Sequence, residues 1–349
     1  MANLTIGVDL GDRYSELYVV DAAGACVETG RIRTTVAGLE QWFGGRAPAR
    51  VVLEAGTHSP WASRVLQRLG HEVLVANPRK LRAIYENDSK DDRVDAEYLA
   101  RVGRLDPALL KPITHRGEAA QADLAVLSSR DVLVRTRTLL INYTRGVVKA
   151  MGGRLPRCSA ESFARRVGPH VPPALRPALA PVLAQLQQLT AAIRGVDREV
   201  ERRCAEQYPA TAQLRQVSGV GPVTALAYVL VLEDPRRFPR SRAVGAYLGL
   251  RPRRSQSGEQ DPQLRITKAG HPFLRRLVVQ AAHYILGPHG PDCDLRRHGE
   301  RIAARGGKNA KKRAVIAVAR KLAVLLHVLW ISGEVYEPLR QRLVLAQAS

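Results

Sequence analysis

The sequence lacks several features that mark common classes of protein. Its four cysteines are scattered without a C-x-x-C spacing, which argues against a zinc site or a disulfide framework and is typical of a reducing cytoplasm. The N-terminus has no basic flank before an apolar core, so we expect no signal peptide in it. The most apolar late run, 314–331, is interrupted by Arg320, Lys321 and His327, and we therefore expect no membrane span.

Acidic residues are scarce relative to basic ones. The 349 residues include 54 Lys and Arg but only 32 Asp and Glu, a formal net charge of +22. The excess is uneven, because the segment from Arg236 to Arg320 holds 20 Lys and Arg against 5 Asp and Glu. Such a field favours a polyanionic partner, most commonly nucleic acid, although a merely soluble basic surface would have the same composition. Because 45% of the residues are hydrophobic, the chain can form cores, and its length predicts two domains.

The first third of the chain has a strand-rich pattern. Strands are predicted at 4–10, 15–21, 26–33, 50–54 and 71–76, with helices at 36–43, around 61–69 and starting within the acidic stretch 89–96. Consecutive antiparallel strands followed by strand–helix–strand is the order of the RNase H-like fold, in which the first and fourth strands each carry a metal-binding acid. We therefore predict an α/β, RNase H-like (RuvC-like) domain over residues 1–116.

The middle of the chain has a helical pattern with heptad spacing. Apolar residues recur every seven positions at Leu127, Val134, Ile141 and Val148, and a second seam runs through Val182, Leu186, Leu189, Ile193, Val196 and Val200. We predict a helical coiled-coil region over 117–205. The seams fit either an antiparallel pair within the chain or an oligomerisation stalk, and we favour a stalk that involves both helices.

Four acids are placed as a metal site would need them. Asp9 and Glu54 each interrupt an otherwise apolar strand, whereas Asp92 and Asp95 belong to the stretch Ser89-Lys90-Asp91-Asp92-Arg93-Val94-Asp95-Ala96. At i,i+3 the last two project from one helical face, about 5–6 Å apart, where they repel unless a cation or a shared proton lies between them. Blander explanations are a helix-terminal role for Asp91 and Asp92 and a turn-capping role for Asp9.

Carboxylates in this number suit one kind of chemistry. Mg²⁺ prefers carboxylate and phosphate oxygens, and a pair of such ions can stabilise both the attacking and the leaving oxygen at a phosphodiester. Glu54 is the acid hardest to explain otherwise, because a buried unpaired carboxylate is costly. We therefore predict that Asp9, Glu54, Asp92 and Asp95 bind Mg²⁺.

Two loops in the last third are candidates for phosphate binding. The turn Gly219-Val220-Gly221 resembles that of helix-hairpin-helix modules, where backbone N–H groups hold a phosphate, although an ordinary interhelical turn fits equally well. Ser257 lies in a second, arginine-rich loop and could be only a loop serine, and Ser255 and Ser241 have similar surroundings in composition. The guanidiniums that favour Ser257 as a nucleophile at a bound phosphate belong to Arg251, Arg253, Arg254 and Arg265.

These blocks together resemble a known family. The N-terminal ones are Gly7-Val8-Asp9, Leu53-Glu54-Ala55-Gly56, Asn77-Pro78 and Lys90-x-Asp92-x-x-Asp95-Ala96. The C-terminal ones are the Gly219 turn, Ala246-Tyr247-Leu248-Gly249-Leu250, Ser257-Gly258, Ile266-Thr267-Lys268-Ala269-Gly270, Arg275-Arg276-Leu277 and Ala317-Val318-Ala319-Arg320-Lys321-Leu322. In this order they are similar to the DEDD transposases of the insertion-sequence-110 family, which includes the Piv-type DNA invertases.

The resemblance implies a function, a cofactor and partners. It implies a RuvC-like domain with Mg²⁺ on Asp9, Glu54, Asp92 and Asp95, a coiled-coil linker, and a mostly α transposase domain over 206–331 before a tail at 332–349. It implies that Ser257 is the nucleophile. Asp91 occupies a position where the family often has threonine. The implied partners are the DNA of the element ends and target, a non-coding bridge RNA that acts as guide, and further copies of the chain in a homodimer or homotetramer that holds two DNA ends. Nucleic-acid contacts are expected at Arg251, Arg253, Arg254, Arg265, Lys268, Gly219 and Gly221.

Three functions compete at this stage. The first is an RNA-guided transposase or recombinase, cytoplasmic and associated with the bacterial nucleoid, that forms a serine-linked DNA intermediate. The second is a RuvC-type junction-resolving nuclease that uses the acids alone. The third is a non-catalytic, basic nucleic-acid-binding protein.

Overall fold

The chain forms two compact units. A computed structural model describes residues 4–79, 91–258, 260, 262 and 264–340, and it divides the chain into Met1–Arg116 and Gly117–Ser349. Ser89 and Lys90, the first two residues of the acidic stretch, lie outside the described residues.

The first unit contains a five-stranded mixed sheet. Its elements are β1 (Thr5–Leu10), β2 (Tyr14–Val20), β3 (Cys26–Arg33), α1 (Val36–Phe43), β4 (Arg50–Glu54), α2 (Ser59–Arg68), β5 (Glu72–Ala76), α3 (Asp92–Leu105) and a 3-10 turn at Pro107–Leu110. The strand order is β3-β2-β1-β4-β5, with β1, β2 and β3 antiparallel and β1, β4 and β5 parallel. The mixed α/β sheet predicted for the N-terminal region is thereby confirmed.

The two faces of this sheet have different roles because side chains alternate along a strand. Ile6 and Val8 of β1 are buried in a core with Leu39 and Phe43 of α1 and Leu66 of α2. On the opposite face, Val52 of β4 packs with Leu99 of α3. Residues 5, 7 and 9 of β1 therefore share the face that α3 covers.

The second unit is helical. Its helices are α4 (Glu118–Ala150), α5 (Phe163–Val167), α6 (Arg176–Glu206), α7 (Ala210–Leu214), α8 (Pro222–Leu232), α9 (Arg242–Tyr247), α10 (Pro272–Leu286), α11 (Asp294–Ala303) and α12 (Ala310–Ser332), with 3-10 turns at Gly168–His170, Pro173–Leu175 and Pro235–Arg237. In the described part of this unit the β-structure is limited to two isolated bridges, Pro252 with Ile266 and Ser257 with Gln260, both in the loop around Ser257. The mostly helical C-terminal region was predicted correctly.

Helices α4 and α6 pack against each other within the chain. Arg130 pairs with Asp197 at 2.5 Å and Asp123 pairs with Arg203, so the two helices run antiparallel. The α6 seam is enclosed by this arrangement, with Leu186, Leu189, Ile193 and Val200 all buried. The structure therefore has the antiparallel pair, and the apolar residues that we expected to serve a stalk are used inside one chain.

The rest of the unit surrounds α8. Residues 224–232 are buried without interruption, and the Tyr228 hydroxyl donates a 2.6 Å hydrogen bond to the Ala323 carbonyl of α12. Leu127 of α4 and Val200 of α6 belong to the same core. The helices expected to form a separate linker thus share a core with the segment expected to form the transposase domain.

Helix α12 is the most apolar element. An 18-residue window within it has a mean hydropathy of 2.0, so by length and composition alone it could cross a membrane. Half of that window is buried inside the unit. His327 lies on its buried side, where Nε2 is 2.8 Å from the Pro235 carbonyl oxygen. Its apolar character is accounted for by this packing, as expected for the core helix of a helical unit.

Candidate active site

The acids of the first unit occupy one end of one sheet face. Asp9 lies near the carboxyl end of β1 and Glu54 at the carboxyl end of β4, and these two strands are parallel neighbours. Asp9 has the same orientation as Gly7, and Glu54 the same orientation as Val52, so both acids project on the side covered by α3. Asp92 and Asp95 lie in the first turn of α3.

Close backbone packing sets the position of α3 over β1. A Cβ atom on Gly7 would overlap the carbonyl oxygen of Ala96 and approach the backbone nitrogen of Ala100 to 2.6 Å. Ala96 and Ala100 are themselves fully buried. Only glycine at residue 7 permits this approach, which brings the acidic start of α3 toward Asp9, two residues along the strand.

Asp91 has a different role from its neighbours. It is the N-cap of α3 in an extended conformation, and its carboxylate accepts a 3.0 Å hydrogen bond from the backbone N–H of Arg93. Acids are favoured at such a position because they satisfy an otherwise unpaired N–H. Because the Asp91 carboxylate caps α3, Asp92 is the better candidate of the two to act as a metal ligand together with Asp95.

The carboxylates interact electrostatically with one another. The pKa of Asp9 is raised to about 6, first because the side chain is partly buried and then because Asp92, Asp95, Glu54 and Glu16 place negative charge near it. Burial and like charges both disfavour the ionised form. The four predicted acids are therefore close enough to influence one group, and a bound cation would relieve their repulsion.

Glu16 is a fifth carboxylate that sequence reasoning did not identify. It is the direct antiparallel partner of Asp9 across β1 and β2, so both side chains project from the same face. Its side chain is only 15% exposed and lies 3.1 Å from Arg31 Nε and 3.9 Å from Arg93 Nε. The sequence alone did not place residues 9 and 16 opposite each other, because this pairing depends on the register of β1 and β2.

A histidine–aspartate contact borders the same end of the sheet. His58, the residue before α2, has Nε2 3.7 Å from Asp12 Oδ1 in the loop after β1. Its Nδ1 accepts a hydrogen bond of 3.2 Å from Trp61 Nε1. This contact places the segment after Glu54 beside the segment after Asp9.

The donor set fits a divalent ion that a substrate completes. Within the described residues, no group of three or more Asp, Glu, His or Cys side chains is close enough to hold a metal ion by itself. Mg²⁺ is commonly held by one or two carboxylates together with waters and substrate phosphates, so an all-protein cage is not required. Asp9, Glu54, Asp92 and Asp95 supply oxygen donors of the right kind on one face.

In the second unit, Ser257 lies at the tip of a hairpin-like loop. The base of the loop is closed by hydrogen bonds from Lys268 N–H to Gly249 O (3.1 Å) and from Thr267 N–H to Arg251 O (2.9 Å). Nearer the tip, Ser257 and Gln260 exchange backbone hydrogen bonds of 3.2 and 3.0 Å. Gly258 follows with a φ of +56°, a value that favours glycine at this turn.

The side chains of this loop face solvent. Arg253 and Arg265 are joined by a 2.9 Å backbone hydrogen bond, so the arginines of the two arms lie side by side. Every residue predicted to act here is exposed, namely Ser257, Arg251, Arg253, Arg254, Arg265 and Lys268. The Ser257 hydroxyl has no hydrogen bond among the residues that the structure describes, and Ser255 is equally exposed.

The glycine turn joins α7 to α8. Gly219 has a φ of +88°, and a Cβ there would lie 3.0 Å from the Tyr284 ring, so both backbone and space require glycine. Gly221 is the N-cap of α8, and its carbonyl accepts a 2.9 Å hydrogen bond from Ala225. Packing explains Gly219 fully, and the exposed Gly221 at a helix start is what a phosphate-holding turn would also need.

Comparisons with known proteins identify the family. A profile described as "Transposase", of the DEDD IS110 type, matches residues 6–152, and one described as "Transposase IS116/IS110/IS902 family" matches residues 211–293. The putative transposase y4rJ of Sinorhizobium fredii is 30% identical over 318 residues, which cover 83% of this chain and 79% of that relative. The chain belongs to the IS110 family of transposases.

Other relatives of this transposase align over nearly their full length. The transposase for insertion sequence element IS1328 of Yersinia enterocolitica is 28% identical over 344 residues, covering 96% of this chain and 99% of the relative. The transposase for IS1111A of Coxiella burnetii is 27% identical over 349 residues, covering 95% and 90%. The family predicted from the order of the motifs is confirmed, and the protein is a DNA transposase rather than a non-catalytic binder.

Proposed function

We propose that this transposase cuts and rejoins DNA through a covalent intermediate on Ser257, with Mg²⁺ held by Asp9, Glu54, Asp92 and Asp95. The convergence of these acids on one sheet face carries the metal assignment, and burial together with the charges of Asp92, Asp95, Glu54 and Glu16 raises the pKa of Asp9 to about 6. The strand order β3-β2-β1-β4-β5 supports an RNase H-like fold for the unit that holds it. The family type, DEDD, agrees with the use of a divalent ion.

In this proposal each group has a defined role. The guanidiniums of Arg251, Arg253 and Arg265 bind the phosphate and orient it. The Ser257 Oγ forms a bond to phosphorus, one ester oxygen of the DNA backbone leaves, the serine proton passes to solvent, and the leaving oxygen takes up a proton. When bound, the metal would stabilise negative charge on the phosphate oxygens. Attack by a second DNA hydroxyl reverses these steps and releases the serine.

A trapping experiment tests the proposal. A suicide DNA substrate, nicked so that the cut strand diffuses away, should give a covalent protein–DNA adduct that Ser257→Ala abolishes. Ser255→Ala is the matched control, since Ser255 lies two residues away on the same exposed loop. An adduct that persists in Ser257→Ala and disappears in Ser255→Ala would refute the assignment of the nucleophile.

A metal-dependent nuclease is the second candidate. It is favoured by the fact that all five carboxylates lie within the first unit, without any contribution from Ser257. It predicts cleavage that needs Mg²⁺, forms no adduct and persists in Ser257→Ala. The trapping experiment therefore separates the two mechanisms.

We also propose that a non-coding RNA guides the enzyme, that two or four copies act together in the bacterial cytoplasm, and that the DNA partners are the element ends and target. The +22 net charge supports a large nucleic-acid partner. Base pairing by an RNA would supply sequence specificity that the protein need not encode. Sequencing the RNA that co-purifies with the protein, expressed together with its flanking DNA, tests this, and recovery of only random cellular RNA would contradict it.

A further inference from the structure

The connection between α11 and α12 carries a dense set of cations outside the proposed catalytic residues. From residue 301 to residue 333 the chain has eight Lys and Arg and no Asp or Glu. All eight are exposed: Arg301, Arg305, Lys308, Lys311, Lys312, Arg313, Arg320 and Lys321. The first six, within 301–313, are called the α11–α12 basic turn below.

Some exposed arginines of the same unit are compensated by nearby carboxylates. Arg202 pairs with Glu199 and Glu206, Arg215 pairs with Glu201, and Arg135 pairs with Asp131. By contrast, within the described residues the α11–α12 basic turn makes no ion pair, and the Arg313 guanidinium donates only to the neutral Gly306 carbonyl, at 3.1 Å. Its charge is therefore not compensated by neighbouring carboxylates.

The fold brings cations of α11 and α12 near each other. Gly299 lets α11 pack tightly on α12, because a Cβ there would meet Leu286 and Val318 within 2.7 Å. Gly306 and Gly307, with φ of +73° and +89°, then reverse the chain. The pKa of His298 is lowered by burial and by Lys321, Arg301 and Arg305, so cations from both helices lie near this one side chain.

Three cations of the α11–α12 basic turn lie at the start of α12, where positive charge is electrostatically unfavourable. Lys311, Lys312 and Arg313 occupy its first turn, there is no acid in that turn, and Asn309 provides no side-chain cap. The N-terminus of a helix is the positive end of its dipole and favours anions. Three cations placed there are repelled by the positive helix terminus and by one another. An anion bound beside them would relieve both repulsions.

The composition of the turn also indicates the form of the partner. Residues 301–313 contain no aromatic side chain. Proteins that bind single strands generally stack bases on aromatic rings, whereas contacts to a duplex backbone need only cations and backbone N–H groups. We propose that the α11–α12 basic turn binds the phosphate backbone of a double-helical nucleic acid without reading its sequence.

Two sources share this chemistry: duplex DNA of the element or target, and a duplex stem of a folded RNA. The inference rests on the proposed function only in taking nucleic acid as the polyanion. Its test measures binding and not cleavage, so its failure is distinguishable from failure of the Ser257 mechanism.

The test compares two variants of the full chain with equal charge. One is the triple variant Lys308→Gln, Lys311→Gln and Lys312→Gln. The control is Arg135→Gln, Arg202→Gln and Arg215→Gln, which removes three exposed but ion-paired charges from the same unit. Binding of labelled duplex DNA, duplex RNA and single-stranded DNA of arbitrary sequence is followed by fluorescence anisotropy over a range of salt concentrations.

The basic-turn variant should bind at least one duplex about tenfold or more weakly than the control does. The slope of its logarithmic salt dependence should fall by about 0.9 for each phosphate that the turn no longer neutralises. Weaker binding of DNA alone, of RNA alone or of both identifies the source. Equal binding by the two variants, or weaker binding confined to the single strand, would overturn the proposal. We expect the basic-turn variant to unfold at the same temperature as wild type, because the replaced side chains are exposed. A thermal-unfolding measurement of this kind shows that the variant is folded.

Discussion

Gly7 on β1 and Ala96 on α3 are in backbone contact, because a methyl group at residue 7 would overlap the Ala96 carbonyl oxygen. This contact joins the strand that carries Asp9 to the helix that carries Asp92 and Asp95. The relative position of three of the acids therefore depends on a residue with no side chain.

Gly7→Ala should displace α3 and disrupt the acid cluster. Overpacking of this kind typically costs about 1–3 kcal/mol, and here the obstacle is backbone, which cannot rotate away. We expect a lower unfolding temperature and loss of DNA adduct formation. Gly45→Ala is the control, since a Cβ at Gly45 meets nothing within 4 Å. Wild-type adduct yield in Gly7→Ala would show that the position of α3 is not critical.

The raised pKa of Asp9 predicts a pH-dependent stability. The folded pKa of about 6 exceeds the ordinary value of 3.8, so between these values the folded state binds more protons than the unfolded state. The free energy of unfolding should therefore receive a contribution from Asp9 that falls as the pH rises from about 4 to 6. Asp9→Asn removes the ionisable group, and the variant should gain stability relative to wild type across this window.

Denaturant unfolding with a chelator present, at several pH values, measures this difference. Asp9→Asn should be more stable than wild type at pH 7 and yet inactive. A stability difference that is constant with pH would mean that Asp9 titrates in its ordinary range. A gain in stability from deleting a catalytic acid is the expected sign of a site assembled for a cation.

Divalent ions should stabilise the wild-type enzyme. A ligand that binds only the folded state raises stability in proportion to the logarithm of its concentration above its dissociation constant. Mg²⁺ or Mn²⁺ should therefore raise the unfolding temperature at pH 7.5, and less so at pH 5, where Asp9 is largely protonated. Asp9→Asn combined with Asp95→Asn should abolish the rise, and an unchanged rise in this double variant would place the ion elsewhere.

Glu16→Gln tests whether the fifth carboxylate belongs to the site. The substitution removes a negative charge opposite Asp9 and should therefore lower the pKa of Asp9. The pH at which Mn²⁺ binding is lost on acidification should then also be lower. It also releases Arg31, which lies 3.1 Å from Glu16. Glu28→Gln on β3 is the control, because Glu28 pairs with Arg46 and does not contribute to the Asp9 pKa shift. Identical binding profiles for both variants would assign Glu16 a purely structural role.

The sequence allowed the sheet to be predicted but not its register. The apolar pattern of a strand and the glycines that end it are local features of the sequence. The strands β1 to β5 and the positions of Asp9 and Glu54 on them could therefore be predicted directly. Glu16 was missed because its proximity to Asp9 depends on which residues pair across two strands. The α6 seam was correctly recognised as apolar, but whether it packs on α4 or on another chain is decided by long-range contacts such as Arg130 with Asp197.

Asp91 and Asp92 can be distinguished by separating stability from activity. Asp91 caps α3 by accepting from the Arg93 N–H, so Asp91→Ala should cost about 1 kcal/mol, while Asp91→Ser keeps a capping oxygen and should be nearly neutral. Both should retain adduct formation. Asp92→Asn preserves size and helix position but removes a charge that acts on Asp9, and it should abolish the adduct with little change in unfolding temperature. If Asp91→Ser were inactive and Asp92→Asn active, the metal-binding role would pass to Asp91, and capping would be incidental to it.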